Sequence, residues 1–223
     1  FIAAGTEQGK VYVYSTYDDN ISWYHDSLLD GRIIEIDFSE DSTHFVIGTE
    51  NGRVYIYESE GENPVFEYDQ PDSVTCVSAS SNTNYYAFGT DEGLLTMLDL
   101  EVSFKAWEAN IGGIVTDISF NGKGNYVVAG SNNKRLILAD VLTGEELWRI
   151  FAFGEVSEVA MSYRGENIAV GTAEGLAVYY ERQLDNQAPV ATIESITPST
   201  ALPGTPIVMN GSAVDSDGEI VDY

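Results

Sequence analysis

Three carboxylates and a thiol recur at a fixed interval along this 223-residue chain: Glu35, Cys76, Asp117 and Glu158, each 41 residues after the one before. On a common wall the acidic groups could draw a cation such as calcium, which prefers hard oxygen ligands. The simpler reading leaves them facing solvent at sheet edges. A second acidic group, Asp215, Asp217 and Asp222, brackets Gly218. An EF-hand loop needs glycine at its sixth position and a closing glutamate at its twelfth. Counted from Asp215, Gly218 is fourth, so a turn held by aspartate side chains is the better account. His25 and His44 have no partner at metal-ligand spacing. No nucleophile elbow, phosphate loop or dinucleotide fingerprint occurs. No catalytic or cofactor-binding residue is therefore assigned.

Charge narrows the classes of partner. There are 36 acidic residues against 10 basic ones, a formal net charge of -26. Such a field repels phosphate backbones and anionic membranes, which argues against nucleic-acid binding. The acidic residues are spread (Asp18, Asp19, Glu58, Glu60, Glu92, Glu145, Glu166) and not gathered in a tail. That pattern suits a protein of salty water, where self-repulsion is screened, or simply an acidic secreted protein. No stretch approaches the length of a membrane span. Cys76 is the lone cysteine, so no internal disulfide forms and the count says nothing about compartment. Asn20-Ile21-Ser22 and Asn210-Gly211-Ser212 are glycosylation sequons, in keeping with secretion.

The elements that would position these residues are read from periodicity. Gly5, Gly48, Gly89, Gly130 and Gly171 stand 43, 41, 41 and 41 apart, each followed by Thr or Ser. Four residues on comes a second glycine, at 9, 52, 93 and 175, with Lys134 in its place in the fourth copy. A short acidic or amide turn closed by glycine fits a tight hairpin, since glycine tolerates positive φ. Period-two apolar runs flank each turn, such as Phe45 and Ile47 before and Val54 and Ile56 after. Eighteen residues past the first glycine stands a large aromatic: Trp23, Phe66, Trp107, Trp148. Upstream lies one more strand, with Ile36 and Phe38, or Ile118 and Phe120, in matching places. Each unit thus has an inner strand, two hairpin strands and an outer strand carrying the aromatic. The tryptophans are expected to pack between units.

Over residues 1–181 this pattern resembles the β-propeller blades of the WD-repeat family. Strings such as IDFSEDSTHFVIGTENGRVYIYE carry the likeness, with Glu58, Asp99, Asp140 and Glu181 where that family often has the Asp of its Trp-Asp pair. Tyr57, Leu98, Ala139 and Tyr180 stand in place of the Trp. Residues 140–148, DVLTGEELW, are similar instead to the repeat of quinoprotein (PQQ)-like propellers. That resemblance implies that Trp148 docks on a neighbouring blade and that Thr143 and Gly144 form the turn before the outer strand. The expected fold is all-β: an open arc of about five blades, at 1–26, 33–69, 74–110, 115–151 and 156–181. The first lacks its inner strand and the last its outer one, so the arc belongs to a larger ring, and both chain ends read as cuts. Family resemblance implies that a strand upstream of Phe1 supplies the missing outer piece.

After a polar linker, 182–188, residues 189–223 resemble the first part of a PKD domain, an Ig-like β-sandwich of extracellular proteins. Ala188-Pro189-Val190-Ala191, Pro203-Gly204 and Asp215-Ser216-Asp217-Gly218 carry that likeness. Together the resemblances imply a non-enzymatic recognition scaffold, extracellular or on the cell surface, meeting a protein or glycan partner through propeller loops. The alternatives are a quinone-dependent dehydrogenase fragment, which would need calcium ligands around the channel, and an intracellular WD-repeat scaffold.

Overall fold

The 41-residue period resolves into a series of antiparallel meanders. A computed structural model describes residues 1–14, 16, 21–25, 29–102, 104–181, 190–197 and 208–214, and every regular element among them is a strand. The chain divides into two units, Phe1–Arg182 and Gln183–Tyr223. In the first unit, β1 (Ile2–Gly5), β2 (Val11–Tyr14) and β3 (Ile21–His25) form a three-stranded sheet. Three four-stranded sheets follow. The second holds β4 (Ile33–Phe38), β5 (His44–Thr49), β6 (Arg53–Glu58) and β7 (Pro64–Asp69). The third holds β8 (Val74–Ala79), β9 (Tyr85–Thr90), β10 (Leu94–Asp99) and β11 (Phe104–Asn110). The fourth holds β12 (Val115–Phe120), β13 (Tyr126–Ser131), β14 (Arg135–Asp140) and β15 (Glu146–Phe151). A three-stranded fifth sheet has β16 (Val156–Met161), β17 (Asn167–Thr172) and β18 (Ala177–Glu181). In the second unit, β19 (Val190–Thr197) pairs antiparallel with β20 (Val208–Val214).

Sheets follow one another side by side, with β1 against β4, β4 against β8, β8 against β12 and β12 against β16. From the second sheet to the fifth the neighbours are the inner strands, with the outer strands apart, an arrangement consistent with a β-propeller. Burial explains the sequence pattern strand by strand. The two middle strands of each complete sheet are covered on both faces, so they read as unbroken apolar runs such as Phe45-Val46-Ile47 and Leu136-Ile137-Leu138. Outer strands face solvent on one side and alternate, as in Pro64–Asp69 and Phe104–Asn110. One face of a sheet meets the sheet before it and the other meets the sheet after it. Val46, Val54 and Ile56 thus pack with Val74, Val77 and Phe88 of the third sheet. Ala87, Leu95 and Met97 pack with Val115, Ile118 and Val127 of the fourth.

The first repeat glycine works by clearance. A Cβ at Gly48 would lie 2.6 Å from Cγ1 of Val74, and one at Gly5, Gly89 or Gly130 would overlap Ile33, Val115 or Val156. In each case the clash is with a β-branched side chain on the inner strand of the next sheet. At Gly171 the nearest atom is Ser157 Oγ, 3.5 Å away and in the same sheet. The second repeat glycine works by conformation, with φ of 78° at Gly9, 84° at Gly52 and Gly93, and 80° at Gly175.

Lys134 holds the same left-handed backbone, φ 70°, which strains an L-residue by about 1–2 kcal/mol. Its side chain returns little, an exposed ion pair with Glu174 at 3.9 Å. Lys134→Gly should therefore stabilise the chain by roughly 1 kcal/mol, after the greater freedom of glycine in the unfolded state is deducted. Thermal unfolding measures it, and a lowered midpoint would refute the strain.

Candidate functional site

Inner strands bring the recurring carboxylates to one level. Each inner strand slips register at its second residue, between Ile33 and Glu35, Val74 and Cys76, Val115 and Asp117, and Val156 and Glu158. Such a bulge re-aims the side chain that follows it. Glu35 Oε2 accepts from the Val77 N–H of the next sheet at 2.8 Å, and Asp117 Oδ2 accepts from Val159 N–H at 2.7 Å. Glu35 and Asp117 are half-buried and engaged with main chain, so the reading that leaves them facing solvent is corrected for these two; Glu158 is exposed. Cys76 has no carboxylate to offer, and Ile118 N–H turns to Asp117 Oδ1 of its own strand at 2.8 Å. The buried Cys76 thiol points to Val115 O instead, and burial pushes its pKa well above the ordinary value. Among the described residues no three His, Cys, Asp or Glu side chains are grouped so as to hold a metal.

The sequence reading missed two further residues of this kind. Asp37 Oδ2 accepts from Ala79 N–H at 2.8 Å and from Ser78 Oγ at 3.3 Å. Ser119 Oγ accepts from Met161 N–H at 3.3 Å. Polar side chains at positions 37, 78 and 119, each two residues beyond 35, 76 and 117 on the inner strands, were the signal available. Burial raises the pKa of both Glu35 and Asp37, against the lowering by their N–H donors.

The aromatic register closes the outer seam. Trp107, on β11 opposite Met97, donates from Nε1 to Val141 O of the fourth sheet at 2.7 Å. It lies on the turn made by Asp140, whose Oδ1 accepts from Thr143 N–H and Oγ1 at 2.8 and 2.9 Å. A Cβ at Gly144 of that turn would meet Trp107 Cγ at 2.7 Å. Thr143 and Gly144 thus form the turn expected before the outer strand, and Trp107 of the preceding sheet docks on it. Trp148, opposite Leu138, packs on the fifth sheet with Ile150 and Tyr180 beside an open groove of about 190 Å³. Phe66 stands opposite Ile56 and packs in the seam between the second and third sheets. Trp23 lies on β3 opposite Val13. Asn210 lies on β20 opposite Ser195, whereas Asn20, the linker and the Asp215–Asp222 turn fall outside the described residues.

The connection from β15 to β16 and the neighbouring hairpin turns present large apolar side chains to solvent. Phe151 is 71%, Phe153 75% and Leu176 49% exposed. Ala152 N–H donates to Lys134 O at 2.7 Å, and Ala173 N–H to Glu155 O at 2.9 Å. The Arg135 guanidinium stands 5.8 Å from the centre of the Phe151 ring. Exposed aromatics on a fixed main chain make a surface able to bind.

Two family profiles fit stretches of the chain. Residues 1–82 match the anaphase-promoting complex subunit 4 WD40 domain, and residues 103–140 match the WD domain, G-beta repeat. The chain carries WD40 repeats. No curated protein matches it. The second match runs from the outer strand of one sheet to Asp140 at the end of the next sheet's third strand. A WD40 repeat therefore straddles two sheets, which ties neighbours covalently as well as by packing. No helix among the described residues is long and apolar enough to cross a membrane.

Proposed function

We propose that this WD40 chain is a non-enzymatic recognition scaffold, extracellular or at the cell surface, that meets a protein or glycan partner through its loops. The observation that carries the reading is the exposed Phe151 at the end of β15 with Phe153 and Leu176 on the adjoining loops, which main-chain hydrogen bonds pin. Large exposed aromatics clustered on a strongly acidic chain are the usual mark of an interaction surface. WD40 repeats commonly mediate protein contacts, and the unit Gln183–Tyr223 is read as the start of a PKD, Ig-like spacer. The five sheets are read as an arc of a larger ring of roughly six to eight blades. Tyr179 supports this. It is 63% exposed at the position where Ile56, Met97 and Leu138 are fully buried.

The test compares the immobilised chain with a Phe151→Ser, Phe153→Ser variant on cell-surface extracts and glycan arrays. A ligand held by the chain and weakened at least about 100-fold by the variant, with unfolding unchanged, is expected, since paired hot-spot losses of this size are common. Equal retention on both would refute the loop face.

A quinone-dependent dehydrogenase is the second reading, favoured by Trp107 on the Asp140–Gly144 turn. The acidic set that calcium would need there is not grouped among the described residues, so no step is derived through a quinone. An unchanged absorbance after addition of pyrroloquinoline quinone and calcium would remove that reading.

A further inference from the structure

The seam between the fourth and fifth sheets is fastened at the inner strands by a carboxylate in an anionic setting. Asp117 bridges Ile118 N–H of its own strand and Val159 N–H of β16. A second tie runs from Met161 N–H to Ser119 Oγ. The charged groups that bear on Asp117 are Glu158 from β16 and Glu35 from β4, both acidic. From β8 comes Cys76, neutral because burial holds its thiol protonated. Neither β9 nor β13 carries a charged residue, and Tyr85, Tyr86 and Tyr126 sit at the strand ends away from Gly89 and Gly130, which pair at the level of Cys76 and Asp117. Among the described residues, none of the groups bearing on Asp117 is a cation.

We propose that this inner wall is a proton-linked clasp: one proton, taken from solvent and centred on Asp117 between Glu158 and Glu35, tightens the fifth sheet onto the fourth, and its release loosens it. A neutral carboxyl keeps a carbonyl oxygen to accept from Val159 while shedding its repulsion with the two glutamates. Burial is the main force favouring the neutral form. The N–H donors of Val159 and Ile118 oppose it, the two glutamates add to it, and together they raise Asp117 from 3.8 to about 7.

The sign follows from linkage. A carboxyl whose pKa is higher in the folded state stabilises most below its unfolded value, and the gain is lost as pH climbs through the folded one. The window therefore runs from about pH 4 to about pH 7.

The experiment is equilibrium unfolding of the whole 223-residue chain across that window, in salt high enough to screen the general charge of the surface. Relative to Asp117→Asn, the folding equilibrium constant should fall by up to about tenfold per pH unit over the upper part of the window. At about pH 8 the Asn variant, which retains an acceptor oxygen, should be at least as stable as the parent. Glu158→Gln should lower the titration midpoint of the Asp117 carboxyl followed by NMR, a readout available if Asp117→Asn fails to fold. An unmoved midpoint would overturn the clasp. So would an Asn variant that is weaker at high pH with the same slope as the parent, because the carboxylate would then be a plain charged acceptor. Stabilisation at high pH by millimolar calcium, lost in Asp117→Asn, would make the wall a cation site and overturn it equally.

Discussion

Gly130→Ala should destabilise the chain by about 3 kcal/mol, the upper part of the range for forcing a methyl into a filled core. The new Cβ would overlap Val156 and crowd Val159 Cγ1 at 3.2 Å, both on the inner strand of the fifth sheet. Val156 cannot retreat, since it is fully buried in the seam with Val128, Leu136 and Val170. Relief must come from separating two sheets. Gly171→Ala is the internal control, because the same position of the fifth sheet has nothing nearer than 3.5 Å. There the substitution should be neutral or improve stability by about 0.5 kcal/mol, as alanine restricts the unfolded chain. Urea denaturation of both variants measures the difference. Equal losses would mean that the glycines serve the backbone and not the clearance between sheets.

Trp107→Ala carries the second large effect, a loss of about 3 kcal/mol, at the low end for a buried tryptophan because the ring is only half-covered. Truncation empties the space over Gly144 and leaves Val141 O without its Nε1 donor. Trp107→Phe keeps a ring and drops the hydrogen bond, and should forfeit about 1 kcal/mol. Amide exchange in Asp140–Gly144 should quicken more than at β9 if the indole fastens that turn. Uniform quickening would contradict a local role.

The fold was legible because one geometric unit is written five times. Matched glycines, apolar runs and aromatics gave strand order and sheet membership without any long-range information. What each glycine does was less visible. The turn glycines were read correctly from their company of Asn, Glu and Asp, but Gly48 or Gly130 answers to a valine 26 residues later, and no local pattern reports that approach. The same limit explains the carboxylates. Their 41-residue register was plain, yet their partners are main-chain N–H groups some 42 residues on, which have no residue-type signature. Trp107 was placed between sheets, but its anchoring on the Asp140–Gly144 turn was not read, since the Val141 carbonyl it binds lies 34 residues on. The turn belongs to one sheet and the indole on it to the sheet before, a pairing that no local pattern reports.

Central to the whole account is that neighbouring sheets meet by fitting a β-branched side chain into the space a glycine leaves open. A double-mutant cycle of Gly130→Ala with Val156→Ala tests this most directly, read by urea unfolding. Shortening Val156 removes the Cγ1 atom that the new methyl would strike, so the pair should lose less than the sum of the single losses by more than about 1 kcal/mol. Additive losses, within about 0.3–0.5 kcal/mol, would show that the two residues do not touch across a seam and would contradict the stacking of the sheets.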